Sequence, residues 1–291
     1  MNGVLIIDKP GGVTSHDVVS RVRRILKQRA VGHLGTLDPL ATGVLALVLG
    51  TMTRLAQFYL TAEKSYEGVI RFGFATDTYD LDGERVGEPR PLVLSLDQLR
   101  DLGRRFQGTI EQMPPPFSAK KIHGVPAYKL ARKKKEIALK PVQVEIKEFE
   151  ITKLEDSGVF FRARVASGTY MRSVAHDMGQ LAGCGAHLES LRRTALAEFE
   201  LKDAHTLEEL EQAAAGGQVL DLLVHPRRLL PLLPAVTANE EIASRIRHGR
   251  PVNLPELSRA REVKVFYGQR DLIAISTRVA GTLFHPRIVL G

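Results

Sequence analysis

Six consecutive apolar residues, Val44 to Leu49, constrain this chain more than any other stretch. A run that short, followed by a turn signal, reads as a buried strand, so a core must form around it. The residues that lead into it, GHLGTLDPLATG at 32–43, make a glycine-punctuated loop with one acid, Asp38, followed by Pro39. An aspartate before proline is ordinary turn chemistry, because its side chain can bond the backbone that follows. Apolar runs flank this loop, however, which sets the carboxylate at the edge of a core, and His33 adds a second polar group beside it. An acid that stays ionised in such a place requires a cation from elsewhere in the chain.

ASGTYMRSVAHD, residues 166–177, offers one. Gly168 permits a tight turn out of a strand, and Tyr170 and Arg172 follow where a helix begins. An arginine there can fork its guanidinium onto a carboxylate across a cleft. The plainer alternative is a helix-start arginine in a surface ion pair.

The remaining pattern is a mixture of strands and helices, an α+β arrangement. Val4 to Ile7 reads as a strand closed by the turn Lys9-Pro10-Gly11-Gly12. Thr14 or Ser15 then caps a helix with Val18, Val19, Val22, Ile25 and Leu26 on its inner face and Arg21, Arg23, Arg24 and Lys27 on its outer one. From Ser65 the pattern alternates, placing Tyr66, Ile70, Phe72 and Phe74 on one face of a strand. Capping boxes at Ser95–Gln98 and Thr206–Glu209 open two helices, the first running to about Phe106 and the second ended by Gly216-Gly217. Strands are expected over Val142 to Ile151 and Val159 to Val165, and the helix after Ser167-Gly168-Thr169 should stop near Gly179 or Gly183. Between them, residues 112–140 carry three prolines in a row and then a lysine- and arginine-rich stretch with little to bury, which reads as a flap ordered on binding. After residue 229 the texture changes to short strand-like runs separated by turns, predicting a small β-barrel over 230–291.

Bulk properties narrow the class. At 291 residues, 44% hydrophobic and 25% charged, the chain has an ordinary globular composition, and no apolar run approaches the roughly 20 residues of a membrane span. The start, MNGVLIIDKPGG, does not read as a signal peptide, and a single cysteine, Cys184, fits a reducing cytoplasm. Forty-one Lys and Arg against 33 Asp and Glu give +8, a charge that suits a polyanionic partner such as nucleic acid. Standard sites fail on spacing. DTYDLDGE resembles a calcium loop, but its first and twelfth positions would be Thr78 and Pro89. Phosphate-binding, dinucleotide and zinc motifs are absent, and His176-Asp177 suits a capping or core role better than a ligand role.

Five stretches together, GVLIIDKPGGVTSHDVV, GHLGTLDPLATGVL, KSYEGVIRFG, MPPPFSAKKIHGVPAYKLAR and SGTYMRSVAHDMG, closely resemble the bacterial tRNA pseudouridine synthase B family, in order over about residues 3 to 195. The last sixty residues look like the PUA module that often closes that family. The resemblance implies a catalytic domain over 1–229, built on a mixed sheet with flanking helices, and a PUA-like domain over 230–291. It implies conversion of uridine 55 in the T-loop of tRNA to pseudouridine, with no cofactor and no metal, by a cytoplasmic monomer. The family's catalytic aspartate falls on Asp38, its active-site tyrosine on Tyr66 and its aspartate-pairing arginine on Arg172. Its neighbouring tyrosine falls on Tyr170, the histidine that packs against the T-loop on His33, and the apolar residue near the flipped base on Leu191. Lys120, Lys121, Arg132, Arg192 and Arg193 are expected on the RNA backbone. The rival readings are an RNA-binding or RNA-folding protein without turnover, and an isomerase directed by a guide RNA within a larger particle.

Overall fold

β1 (Gly3–Lys9) lies antiparallel to the central apolar strand across its whole length, with Gly3 opposite Leu49 and Lys9 opposite Gly43. A computed structural model describes residues 1–117, 140–254 and 260–290, with the backbone alone of 121–122 and 125–126. In chain order the strands are β1, β2 (Val31–His33), β3 (Thr42–Leu49), β4 (Lys64–Phe72), β5 (Ala75–Thr76), β6 (Arg85–Val86), β7 (Gly108–Gln112), β8 (Lys121–Ile122), β9 (Val125–Pro126), β10 (Val142–Glu155), β11 (Gly158–Val165), β12 (Ala186–Leu196) and β13 (Phe199–Glu200). The main sheet runs β1-β3-β12-β4-β11-β10-β7, with β2 and β13 attached at its side; β5 with β6 and β8 with β9 form two small ribbons.

Val44 to Leu49 are apolar at every position because both faces of this part of the sheet are covered. Leu5, Ile7, Leu45, Leu47 and Leu49 face a core built with four helices, α1 (Ser15–Ile25), α2 (Leu96–Arg104), α3 (Met171–Ala182) and α4 (Leu207–Ala215). Val4, Ile6, Val44, Ala46 and Val48 face a second core, closed by the 3-10 segment Gly50–Tyr59 and by Phe266, Leu272, Ile275 and Ile288 of a C-terminal sheet. That sheet comprises β14 (Ala235–Ala238), β15 (Val252–Asn253), β16 (Glu262–Tyr267), β17 (Asp271–Ala280) and β18 (Leu283–Val289), in the order β14-β16-β17-β18-β15. Its other face takes the helix α5 (Glu240–Arg247) through Ala243 and Ile246.

The capping boxes form as the sequence dictates, with Thr14, Ser95 and Thr206 as N-caps. Two elements depart from the expected pattern. α5 replaces a strand-like reading; Asn239 caps it by accepting from the Ile242 N–H, with Glu240 and Glu241 in its first turn. β12 had no strand signature, because bulges between Leu188 and Ser190 and between Arg193 and Ala195 break its alternation. Lys9 stands in a strand and not in a turn, and Phe74 falls beyond the end of β4. No helix among the described residues is long and apolar enough to cross a membrane.

Candidate active site

A loop at 34–41 has no ladder of its own, so its backbone groups need partners from elsewhere. Three buried side chains supply them. Ser15, the first residue of α1 once Thr14 takes the cap, accepts from the Leu37 N–H at 2.8 Å and donates to the Leu37 carbonyl at 3.1 Å. Lys9 Nζ donates to the carbonyls of Pro10, Pro39 and Ala41, at 2.8, 3.2 and 2.7 Å. Arg193 Nε donates to Val44 O at 2.7 Å, Nη2 to Gly35 O at 3.0 Å and Nη1 to Thr36 O at 3.3 Å. Gly43 lets the strands close here: its φ is +99°, and a Cβ would sit 2.2 Å from the Arg193 carbonyl oxygen. The loop is thereby fixed at Leu37 and at Pro39, on either side of Asp38.

Asp38 is 36% exposed at its side chain and meets Arg172, whose side chain is only 5% exposed, with Nε 2.9 Å from Oδ2. The Nε–H is not aligned as a hydrogen bond, so the contact is a close ion pair. The other side of the guanidinium is occupied. Nη1 lies 3.4 Å from Oδ2 of buried Asp80 and 3.3 Å from the Thr78 carbonyl, and Nη2 donates to the Phe117 carbonyl at 3.0 Å. Arg172 is therefore held rigidly between two carboxylates, with Asp38 the one open to solvent. Burial pushes the Asp80 carboxyl up from its usual range, opposed by the Thr78 hydroxyl and the Arg172 charge. Asp80 lies inside the stretch dismissed as a calcium loop, and nothing in its spacing relative to Arg172 announced the pairing.

The turn before α3 is built for this placement. Gly168 has φ +93°, Thr169 Oγ1 donates to Ala166 O, and the Gln112 amide both accepts from Tyr170 N–H at 2.8 Å and donates to Tyr170 O at 3.0 Å. His33, Asp38, Tyr66, Tyr170, Arg172 and Leu191 come together around one cavity of about 430 Å³. Tyr66 is buried opposite Arg193 in the β4–β12 register, and burial raises its phenol, partly offset by the Arg193 charge and hydrogen bond. The His33 imidazole is pushed down by burial, then by the Arg193 and His16 charges, and its Nδ1 is buried without a partner. Leu191 reaches the cavity because the first bulge of β12 shifts it onto the face of Tyr66.

The expected backbone contacts fare differently. Arg193 is 0% exposed and its donors are committed to loop carbonyls, so it cannot reach a phosphate. Both bulges are the reason: between them odd-numbered residues face inward, and Arg193 follows Leu191 into the protein. Arg192 points the other way and forms a forked pair with Asp8, at 2.7 and 3.0 Å, with a third of its side chain exposed. The outer face of α1 is likewise engaged, with Arg21 on Glu208 and Glu211 of α4 and Arg23 on the Val31 carbonyl. Lys120 and Arg132, and the side chain of Lys121, lie outside the described residues, as does most of the expected flap.

Residues 23–171 match the TruB family pseudouridylate synthase N-terminal domain, and residues 172–229 the tRNA pseudouridylate synthase B C-terminal domain. Over its full length the chain is 49% identical to tRNA pseudouridine synthase B of Solibacter usitatus, across 100% of both chains. The chain belongs to the tRNA pseudouridine synthase B family. The family member from Aquifex aeolicus is 37% identical, again over 100% of both chains. In structure, a chain from a Cbf5–Nop10–Gar1 complex aligns with TM-score 0.73 and 25% identity, over 99% of this chain and 85% of its own. A chain of an H/ACA ribonucleoprotein bound to a substrate RNA gives 0.73 at 24%, with the same coverage, and shares the pseudouridine synthase B fold.

Proposed function

We propose that this protein isomerises uridine 55 in the T-loop of tRNA to pseudouridine, with Asp38 as the group that acts on the flipped nucleotide. In this reaction the bond from the sugar carbon to N1 of uracil breaks and a bond to C5 forms; C5 loses its proton and N1 gains one. The observation that carries the proposal is the Asp38–Arg172 pair, at 2.9 Å, on the wall of a nucleoside-sized cavity shared with Tyr66.

A base inside a folded loop has to leave its stack before any side chain reaches its glycosidic bond. His33, held towards the neutral imidazole, can enter the vacated stack without the cost of desolvating a charge. Tyr66 offers its ring to the extruded uracil, and its raised phenol stays an O–H donor at neutral pH. The Asp38 carboxylate acts as a nucleophile on sugar or base, or as the base that removes a ribose proton; each route needs it anionic. Arg172, pinned from behind by Asp80, supplies the opposing charge and the aim. A tRNA substrate supports a cytoplasmic reaction, and in this reading the C-terminal sheet serves as a second RNA-binding module.

Release of tritium from C5-labelled uridine tests the reaction. Wild-type protein should release it from a bare T-arm stem-loop without partner proteins, and Asp38→Asn should not, while retaining tRNA binding. Near wild-type turnover by Asp38→Asn would overturn the assignment, and activity only within a particle would favour a guide-directed enzyme.

A further inference from the structure

Among the described residues lining the cavity, two side chains are Lys or Arg, namely Arg172 and Lys64. Arg172 is committed to Asp38 and Asp80. Lys64 is not committed to any acid. It opens β4 on the same face as Tyr66, two residues on, and its Nζ donates to the Ala62 carbonyl at 2.8 Å, leaving ammonium donors to spare. Its stem passes the loop that bears Asp38, with Cε 3.6 Å from where a Cβ on Gly35 would lie.

A nucleotide turned into this cavity brings its own phosphodiesters toward the Asp38 carboxylate, and like charges at such range repel. We propose that Lys64 binds a phosphate flanking the flipped uridine, anchoring the nucleotide in the cavity that holds Asp38. This inference rests on the activity proposed above and adds a phosphate subsite to it. The charged and titratable groups that share the cavity with Lys64 are Asp38 and His33 from the loop and its approach, Tyr59 from the 3-10 segment, Tyr66 from its own strand, and Tyr170 and Arg172 at the start of α3, while Arg193 of β12 acts on it through its charge. Neighbouring Glu63 is turned to Lys147 and Arg164. Burial, reinforced by the Arg193 charge, lowers the Lys64 ammonium to about 8, as expected of a cation placed where its anion is still to arrive.

The test combines Lys64→Met and Lys64→Arg with T-arm stem-loops carrying one neutral methylphosphonate, 5′ or 3′ to the target uridine. Lys64→Met should weaken binding about tenfold near 0.1 M salt and flatten the slope of log affinity on log salt by roughly 0.7–0.9. Turnover at subsaturating RNA should fall by about the same factor as affinity, because the contact is made both before and during reaction. At one of the two positions the methylphosphonate should weaken wild type by a similar factor and Lys64→Met no further. Lys64→Arg should restore binding and the salt slope, and its affinity should hold above about pH 8, where that of wild type is expected to fall. Additive penalties, an unchanged salt slope, or no methylphosphonate penalty in wild type at either position overturns the inference; the last arm decides even if Lys64→Met folds poorly. A wild type that binds the stem-loop but makes no pseudouridine instead overturns the proposed activity and leaves the phosphate contact standing.

Discussion

Two irregular stretches of this molecule are held by one device, a buried lysine ammonium seated on backbone carbonyls. At the active-site loop, Lys9 donates to Pro10, Pro39 and Ala41; at the linker into the C-terminal sheet, Lys264 donates to Arg227 and Leu229, at 3.2 and 2.6 Å. Burial lowers both ammonium groups, Lys9 to about 8. The surroundings differ. The linker's further ties are Glu198, which accepts from Leu230 N–H and from the Tyr59 hydroxyl, and partly exposed arginine contacts such as the forked pair of Arg228 with Asp203. The loop has Arg193 and Ser15 in addition, and Arg172 on the carboxylate itself. A linker needs only a direction, whereas a reactive carboxylate needs its position fixed to a fraction of an ångström, and the extra buried cations serve that need.

The largest effect that bears on this contrast is chemical. Asp38→Asn should lower kcat by at least about 10³-fold while changing tRNA affinity less than threefold, measured by tritium release and filter binding. Next comes the cage. Arg193→Met leaves two loop carbonyls and the Val44 carbonyl of β3 without their donor and should cost about 3 kcal/mol in denaturant unfolding, whereas Arg192→Met next door should cost about 1 kcal/mol or less. Equal costs would mean that Arg193 does not hold the loop. Lys264→Met should cost about 1–3 kcal/mol and leave kcat unchanged below the unfolding temperature. If it reduced kcat as far as Arg193→Met does, the two knots would not be functionally distinct. A further effect is in pH. Lys9 titrates near 8 when folded and 10.5 when unfolded, so between those values the unfolded chain binds more protons and stability rises with pH, by at most about 1.4 kcal/mol per unit. Lys9→Met should remove that part of the rise, and an unaltered curve would place the ammonium elsewhere.

Much of this was legible in the chain. Val44 to Leu49, the capping boxes at Ser95 and Thr206 and the alternation of β4 as far as Phe72 rest on local pattern, and each formed where that pattern put it. The Asp38–Arg172 pair was also readable, since a lone acid at a core edge demands a cation and Gly168 marked where one could be delivered. Asp80, Lys9 and Arg193 were not. Their roles depend on which way a side chain points within an irregular or bulged segment, and that is settled by pairing with strands far away in sequence. α5 is a different kind of miss, because Asn239 and the spacing of Ile242, Ala243 and Ile246 were present to be read.

The two bulges of β12 cancel over the strand as a whole, returning its ends to a common phase while inverting the middle. Excising Glu189 alone would leave Leu191 opposite Gly68 and Arg193 opposite Tyr66, because the residue removed is the one the ladder skips. Removing a paired residue such as Arg192 would instead set Thr194 opposite Tyr66 and turn Arg193 outward, so the length of the strand between its bulges determines the chemistry as much as the identity of any residue on it.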